Sequence, residues 1–225
     1  EKQIGRNFAE CCVKKDAGDD PDVTHGALIY CKIQSAASSS SSQNPKSYTS
    51  SHESSIQIEG GNGVGVVTKP GLQVGIGRPA INPVPEMMIK KAICEVFGKV
   101  PFSVKAIISV PNGEKIAERT FNQRLGINGG ISIIGTTGFV KPMSEDAIKV
   151  SLKCELDIAK AMGFDSIVMV PGNLGENAVK KAFNLKDEQI VLMSNFVGFM
   201  LKEAQNLGFK KVILGGHPGK LAKLI

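Results

Sequence analysis

Three histidines occur in the 225 residues, at positions 25, 52 and 217. Imidazole is the side chain whose ordinary titration suits proton transfer near neutral pH. His217 stands between Gly216 and Pro218 at the end of the apolar run 211–214, a place that does not suit a core residue. His25 closes the acidic stretch DAGDDPDVTHG at 16–26, which holds Asp16, Asp19, Asp20 and Asp22. His217, His25 and Asp20 are therefore the candidates for acid–base catalysis. His52 and Tyr48 fall in a Ser-rich stretch and read as bystanders. Carboxylates this close repel unless a cation, Lys or Arg groups, or helix amides offset them. The spacing is not that of a calcium-binding EF-hand loop, and the five cysteines, at 11, 12, 31, 94 and 154, contain no CxxC pair. No metal site is expected, and a solvated turn is the plainer account of the acidic stretch. An odd number of scattered cysteines suits reduced thiols in a cytoplasmic protein.

The remaining polar chemistry is that of hydroxyls and amides. In GGISIIGTTGFVKPMSE, residues 129–145, an apolar run stops at Gly135, Thr136, Thr137 and Gly138, and a helix begins near Ser144. A strand that empties into a small polar loop before a helix is how α/β proteins build ligand sites. Glycine lets the backbone approach a ligand, and threonine hydroxyls donate or accept hydrogen bonds. A simple strand-to-helix connection is the alternative.

The same pattern repeats. A helix over 144–162, with Ser144 as N-cap, places Ile148, Leu152, Leu156 and Ala159 on one face. Strand 166–170 ends in PGNLG, which holds Gly172 and Asn173. Strand 190–193 ends in Ser194 and Asn195, and strand 211–214 ends in GGHPG, each with a helix after it. Four strand–loop–helix units imply a Rossmann-like parallel sheet with its ligand site outside the carboxyl ends of the strands. Gly135, Thr136, Thr137, Gly138, Gly172, Asn173 and Asn195 are the ligand-binding candidates. Such a set orients a bulky polar ligand and supplies little covalent chemistry, which suits transfer of a group that is already activated.

The first half is more irregular. Short strands flank the acidic stretch, and SAASSSSSQNPKSYTSSHESS at 35–55 has too little apolar surface to order, so a disordered insertion is expected. The set Gly61-x-Gly63-x-Gly65 invites comparison with a dinucleotide fingerprint, but no helix follows within a few residues, and a glycine-rich hairpin fits better. Lys69 and Arg78 sit beside turn residues from which cations can reach a cleft. A helix over 86–98 carries a core stripe formed by Met88, Ala92 and Val96 with Ile89, Ile93 and Phe97. The expected fold class is α/β and α+β in two domains. Residues 1–128 form a mixed α+β domain with the insertion 35–55, and 129–225 form a parallel-sheet α/β domain.

Hydrophobic content is 42% and no apolar run approaches a membrane span. Residues 1–30 lack the pattern of a signal peptide. The net charge of +6 suits a polyanionic partner. Nucleic acid is the weaker option, because Trp is absent, Tyr occurs twice, and the lysines form no basic stripe with interleaved aromatics. No Walker loop, HExxH or GxSxG is present.

Longer stretches are distinctive. DAGDDPDVTHG at 16–26, VTKPGLQVGIGRPAINPVPEMMI at 67–89, SVPNGEKIAERTFNQRLGINGGISIIGTTGFVKPMSE at 109–145 and SNFVGFMLKEAQNLGFKKVILGGHPGKLAKL at 194–224 closely resemble the cobalt-precorrin-5B methyltransferase family. This is the carbon-1 methylase of anaerobic cobalamin biosynthesis. The resemblance implies methyl transfer from S-adenosylmethionine to carbon 1 of a cobalt-containing tetrapyrrole that carries many carboxylates. It makes Lys69, Arg78, Arg124 and Lys141 the expected carboxylate partners, and in-line alignment of methyl and ring carbon the expected mechanism. The expected partner is the anionic cobalt-corrinoid, with no nucleic acid and no membrane, and with room for a homo-oligomer. The family pattern also has a Thr-Thr-Gly, Ala-rich segment before the acidic stretch and a tail beyond GKL. This chain has neither, so a trimmed core is expected. From the glycine loops alone, a phosphate- or nucleotide-binding α/β transferase is a second reading, with GTTG at an anion site. A non-catalytic tetrapyrrole-binding scaffold is a third.

Overall fold

The computed structural model describes residues 2–5, 7–35, 56–97, 103–134 and 144–222. The rest of the Ser-rich segment with Tyr48 and His52, the loop Gly135, Thr136, Thr137 and Gly138, and Lys141 lie outside the described residues. The chain divides into two compact units. One comprises Glu1–Thr68 and Ile76–Pro142, the other Lys69–Gly75 and Met143–Ile225.

The first unit contains β1 (Lys2–Ile4), β2 (Phe8–Lys14), β3 (Leu28–Ser35), β4 (Ile56–Gly60), β5 (Val66–Val67), α1 (Pro83–Phe97), β6 (Val104–Ser109), α2 (Gly113–Ala117) and β7 (Ile127–Asn128). Its main sheet has the order β1-β2-β3-β6-β4, antiparallel except for the parallel pair β4/β6. Val104, Ala106 and Ile108 on β6 are buried while their neighbours are only half-buried, the period of two that one covered face imposes. α1 provides the cover: Ile89, Ile93 and Cys94 pack on Ile56, Val104 and Ala106. The stripe expected from sequence is too wide. Met88 and Val96 are exposed, Val96 at 81%, and Phe97 is exposed as well. A helix lying on one sheet face buries a single stripe along its length, and the Ile89/Ile93 side takes that place.

The glycine-rich segment is not a hairpin. β4 pairs with β6, and β5 pairs antiparallel with β7. Gly63 lies where three backbone segments cross. Its φ is +74°, and a Cβ there would meet the Val110 carbonyl oxygen at 1.9 Å. The Val110 amide donates to the Asn62 carbonyl at 2.7 Å and the Ile131 amide to the Gly63 carbonyl at 3.0 Å. Close approach of backbones, without any bound ligand, accounts for this glycine. Buried Asn122 pins the neighbouring loop, its Nδ2 donating to the Gly130 carbonyl at 3.1 Å and its Oδ1 accepting from the Ser132 hydroxyl at 3.2 Å.

The second unit contains α3 (Glu145–Ala161), β8 (Ser166–Val170), α4 (Asn173–Ala182), β9 (Ile190–Leu192), α5 (Val197–Asn206), β10 (Lys211–Leu214) and α6 (Pro218–Leu221). Ser144 caps α3, its hydroxyl accepting from the Ala147 amide at 3.3 Å. The strands form an all-parallel sheet in the order β10-β8-β9. Central β8 is buried from Ile167 to Val170, as expected of a parallel strand covered on both faces. Leu152, Leu156 and Ala159 of α3 join Met169, Val191 and Met200 in its core, whereas Ile148 is exposed.

The expected fourth strand does not belong to this sheet. Ile131 and Ile133 form bridges to Val64 and Ile81 in the first unit. Their carbonyls accept from the amides of Gly65 at 2.9 Å and Asn82 at 3.0 Å. Ile131 and Ile133 pack on that core while Ile134 is exposed, and the backbone groups of Ile131 and Ile133 already have partners there.

Candidate functional site

The order β10-β8-β9 means that the chain leaves β8 toward β9 and then crosses back past β8 to reach β10. Right-handed crossovers in opposite senses place α4 and α5 on opposite faces of the sheet, and α5 packs against α3. The carboxyl ends of β8 and β10 are thus the point where the connections diverge, the crevice in which open parallel sheets bind ligands. A cleft of about 420 Å³ lies there, lined among the described residues by 171–175, His217 and Lys220. That volume falls within the roughly 300–1,000 Å³ of small-molecule sites.

Two glycines close the back of this region. A Cβ on Gly175 would meet the Gly215 carbonyl oxygen and the Gly216 Cα at 3.2 Å, and one on Gly215 would meet Val179 at 2.5 Å. These residues let the first turn of α4 press against the loop after β10. Gly172 differs, because a Cβ on it would meet nothing within 4 Å. The Glu176 amide donates to the Gly172 carbonyl at 3.0 Å, so the amides of Asn173, Leu174 and Gly175 precede the first intrahelical donor. His217 caps α6, its Nδ1 accepting from the Gly219 amide at 3.2 Å. With Nδ1 accepting, Nε2 carries the proton in the neutral ring.

The structure therefore brings Gly172, Asn173 and His217 to one cleft. Asn195, exposed beyond the end of β9, is not among the residues that line it. Lys69, in the second unit, is ion-paired with Glu188 at 2.9 Å, and its ammonium holds the Glu188 carboxyl below the usual carboxylate range. Sequence reasoning passed over Lys220 and Leu174, which also line the cleft. For Lys220 a signal existed: it is the first cation after GGHPG, three residues from His217.

His25, Asp20, Arg78 and Arg124 belong to the first unit. The acidic stretch is the connection from β2 to β3, closed by the Lys15 amide donating to Ala27 and the Gly26 amide to Lys15, both at 2.8 Å. Asp22 bonds Lys15, and it accepts from the Thr24 amide and hydroxyl at 2.8 Å. Burial pushes the Asp22 carboxyl up, but Lys15 and Thr24 outweigh it and hold the group below the usual range. His25 Nδ1 accepts from the Ala17 amide at 3.1 Å, and Asp16 braces the Gly18 amide at 2.9 Å. Asp20 is half-buried and Arg78 exposed. Among the described residues no group of His, Cys, Asp or Glu gathers as a metal site, and no helix is long and apolar enough to cross a membrane.

Several sheets, one of them parallel, with a cleft at the carboxyl edge of that one, define a mixed α/β protein. Residues 1–142 match the family described as CbiD, and the chain belongs to the CbiD family. Curated relatives are the cobalt-precorrin-5B C(1)-methyltransferases of Clostridioides difficile and of a Thermoanaerobacter species. The first is 44% identical over 98% of this chain and 59% of its own. The second is 48% identical over 98% of this chain and 56% of its own. The chain thus spans somewhat over half the length of these relatives. A crystal structure of a cobalamin biosynthesis protein from Archaeoglobus fulgidus aligns with 26% identity and a TM-score of 0.43, over 99% of this chain and 64% of that one.

Proposed function

We propose that this chain is the part of a cytoplasmic cobalt-precorrin-5B C(1)-methyltransferase that carries its methyl-donor cleft, and that the donor is S-adenosylmethionine. The observation that carries the reading is the 44% and 48% identity to enzymes of that name across 98% of the chain. The Rossmann-like reading of the second unit rests on the position of the cleft at the divergence of β8 and β10.

The residues there fit such a ligand. The cleft has a size suited to a small molecule, open space at Gly172, and the apolar body of exposed Leu174 beside polar Asn173. When bound, S-adenosylmethionine supplies an electrophilic methyl on a sulfonium, and the carbon–sulfur bond breaks as the bond to carbon 1 forms. The chain's task is alignment and exclusion of water, which can supply much of the barrier lowering. Gly172 and Asn173, which line the cleft, are proposed to hold the donor. Arg78, Arg124 and Lys141 pair substrate carboxylates, and Lys69 does so by exchanging Glu188. His217, His25 and Asp20 are the proposed proton carriers.

Incubating the full-length enzyme with cobalt-precorrin-5B and methyl-labelled S-adenosylmethionine tests the reading. Label on the corrinoid supports it, and tight corrinoid binding with no transfer overturns it in favour of a scaffold. Calorimetry with S-adenosylhomocysteine and ATP tests the nucleotide-binding alternative, which would give micromolar ATP affinity and no response to S-adenosylhomocysteine.

A further inference from the structure

We propose that the β8–β10 cleft is a carboxylate-binding site in which Lys220 is the charged anchor. The inference rests on the methyltransferase reading only for the source of the carboxylate. Among the described residues that line the cleft none is acidic, while Lys220 and the ring of His217 both face it. The nearest acid in sequence, Glu176 on the first turn of α4, is turned along the helix onto Lys180 at 3.0 Å.

His217 adds a directed donor. Its Nδ1 is occupied by the Gly219 amide, so the ring presents Nε2–H. The amides that open α4 supply further donors at the cleft, reinforced by the positive end of a ten-residue helix. Among the described lining residues, ammonium, imidazole N–H and backbone amides form a set of donors, and the Asn173 side chain both donates and accepts. A sulfonium accepts no hydrogen bond and a hydroxyl or a ring nitrogen accepts from only part of this set, whereas a carboxylate pairs with the ammonium and accepts from several of the N–H donors at once.

Two carboxylates are available in the proposed reaction. One is on the amino-acid end of the methyl donor. The others are the acetate and propionate groups of the tetrapyrrole. They share the recognition chemistry and differ in what must be removed to abolish it.

The test compares full-length wild type with Lys220→Gln, whose exposed position keeps folding intact, as checked by an unchanged melting temperature. For the donor arm, calorimetry measures S-adenosylhomocysteine and 5′-methylthioadenosine, which lacks the amino acid. For the corrinoid arm it measures cobyrinic acid and its fully amidated form. The expected result is a loss of roughly tenfold in affinity for one carboxylate-bearing probe, with its carboxylate-free counterpart unaffected. Loss for S-adenosylhomocysteine assigns the methyl donor, and loss for cobyrinic acid assigns the substrate. Equal affinities of wild type and Lys220→Gln for both carboxylate probes, or equal losses for the carboxylate-free ones, overturn the proposal. If S-adenosylhomocysteine fails to bind wild type while cobyrinic acid shows the Lys220 dependence, the donor assignment fails and the carboxylate site stands.

Discussion

Glu155 on α3, a residue only 7% exposed, accepts a hydrogen bond from the Leu192 amide on β9 at 2.9 Å. β9 is an edge of the parallel sheet. Its Met193 amide donates inward to Val170 at 2.8 Å, so the Leu192 amide points away from the sheet. A buried edge amide needs a partner, and a carboxylate from the covering helix provides one. Replacing Glu155 by Gln keeps an acceptor and should cost less than about 1 kcal/mol, whereas Glu155→Leu should cost about 1–3 kcal/mol. Urea unfolding of the two variants measures the difference. A more stable Glu155→Leu protein would show that burying the carboxylate outweighs the bond.

The connection from β2 to β3 should be acid-sensitive. The Asp22 carboxyl is held below its unfolded value by Lys15 and Thr24, against the opposing effect of burial. A group depressed in the folded state stabilises fully above its unfolded pKa and loses that contribution as pH falls through the folded one. Between pH 5 and 7, Asp22→Asn should therefore be less stable than wild type, and the gap should close below about pH 4. Chemical denaturation across that range reads it directly, and a gap independent of pH would contradict it.

Much of the second unit is legible in the sequence. The strands 166–170 and 211–214 and the N-cap Ser144 follow from apolar runs and local capping chemistry, and the structure reproduces them. The Ile131–Ile134 run misleads, because a short apolar run carries no information about which core buries it, and its partners Val64 and Ile81 lie about 50 to 70 residues upstream. In the acidic stretch the crowding of carboxylates calls for an offsetting cation, and Lys15, just before it in sequence, supplies one to Asp22. Within the glycine-rich loops, Gly175 and Gly215 let the two loops touch. Glycine counts alone do not separate close backbone contact from ligand contact, whereas a cation such as Lys220, three residues past His217, needs only its position.

Gly63 provides a sharp test of the backbone crossing. Gly63→Ala adds a Cβ that would fall 1.9 Å from the Val110 carbonyl oxygen at a φ of +74°. The expected loss exceeds about 3 kcal/mol, since strain and clash add. Gly77→Ala is the control, with a φ of +82° but nothing within 4 Å, and should cost only about 1–2 kcal/mol. Thermal unfolding of both separates backbone strain from steric contact. Equal losses would mean that the crossing opens without cost.

His217 should affect turnover more than stability under the methyltransferase reading. His217→Asn retains an acceptor for the Gly219 amide while removing the Nε2–H donor. Methyl transfer by the full-length enzyme should fall at least about tenfold, with the melting temperature unchanged. A lost melting transition with normal turnover in the folded fraction would make the ring a cap and nothing more.

Register in the main sheet makes a chemical prediction. Cys11 on β2 lies directly opposite Cys31 on β3, while Cys12 faces Tyr30. Directly opposed residues on antiparallel strands have Cα atoms about 4.5–5.5 Å apart and share a face, within the span a disulfide bridges. Both thiols are free, with Cys11 exposed. Oxidised glutathione, which takes up the two electrons as two thiols, should therefore join Cys11 to Cys31, and peptide mapping identifies the bond. Burial, with Cys11 and Glu10 nearby, pushes the Cys31 thiol up, so Cys11 is the first to react and Cys31 resolves the mixed disulfide. Cys11→Ser should abolish the cross-link and Cys12→Ser should leave it intact. A Cys12–Cys31 bond instead would mean that β2 is shifted by one residue, which would turn every side chain of β2 to the opposite face.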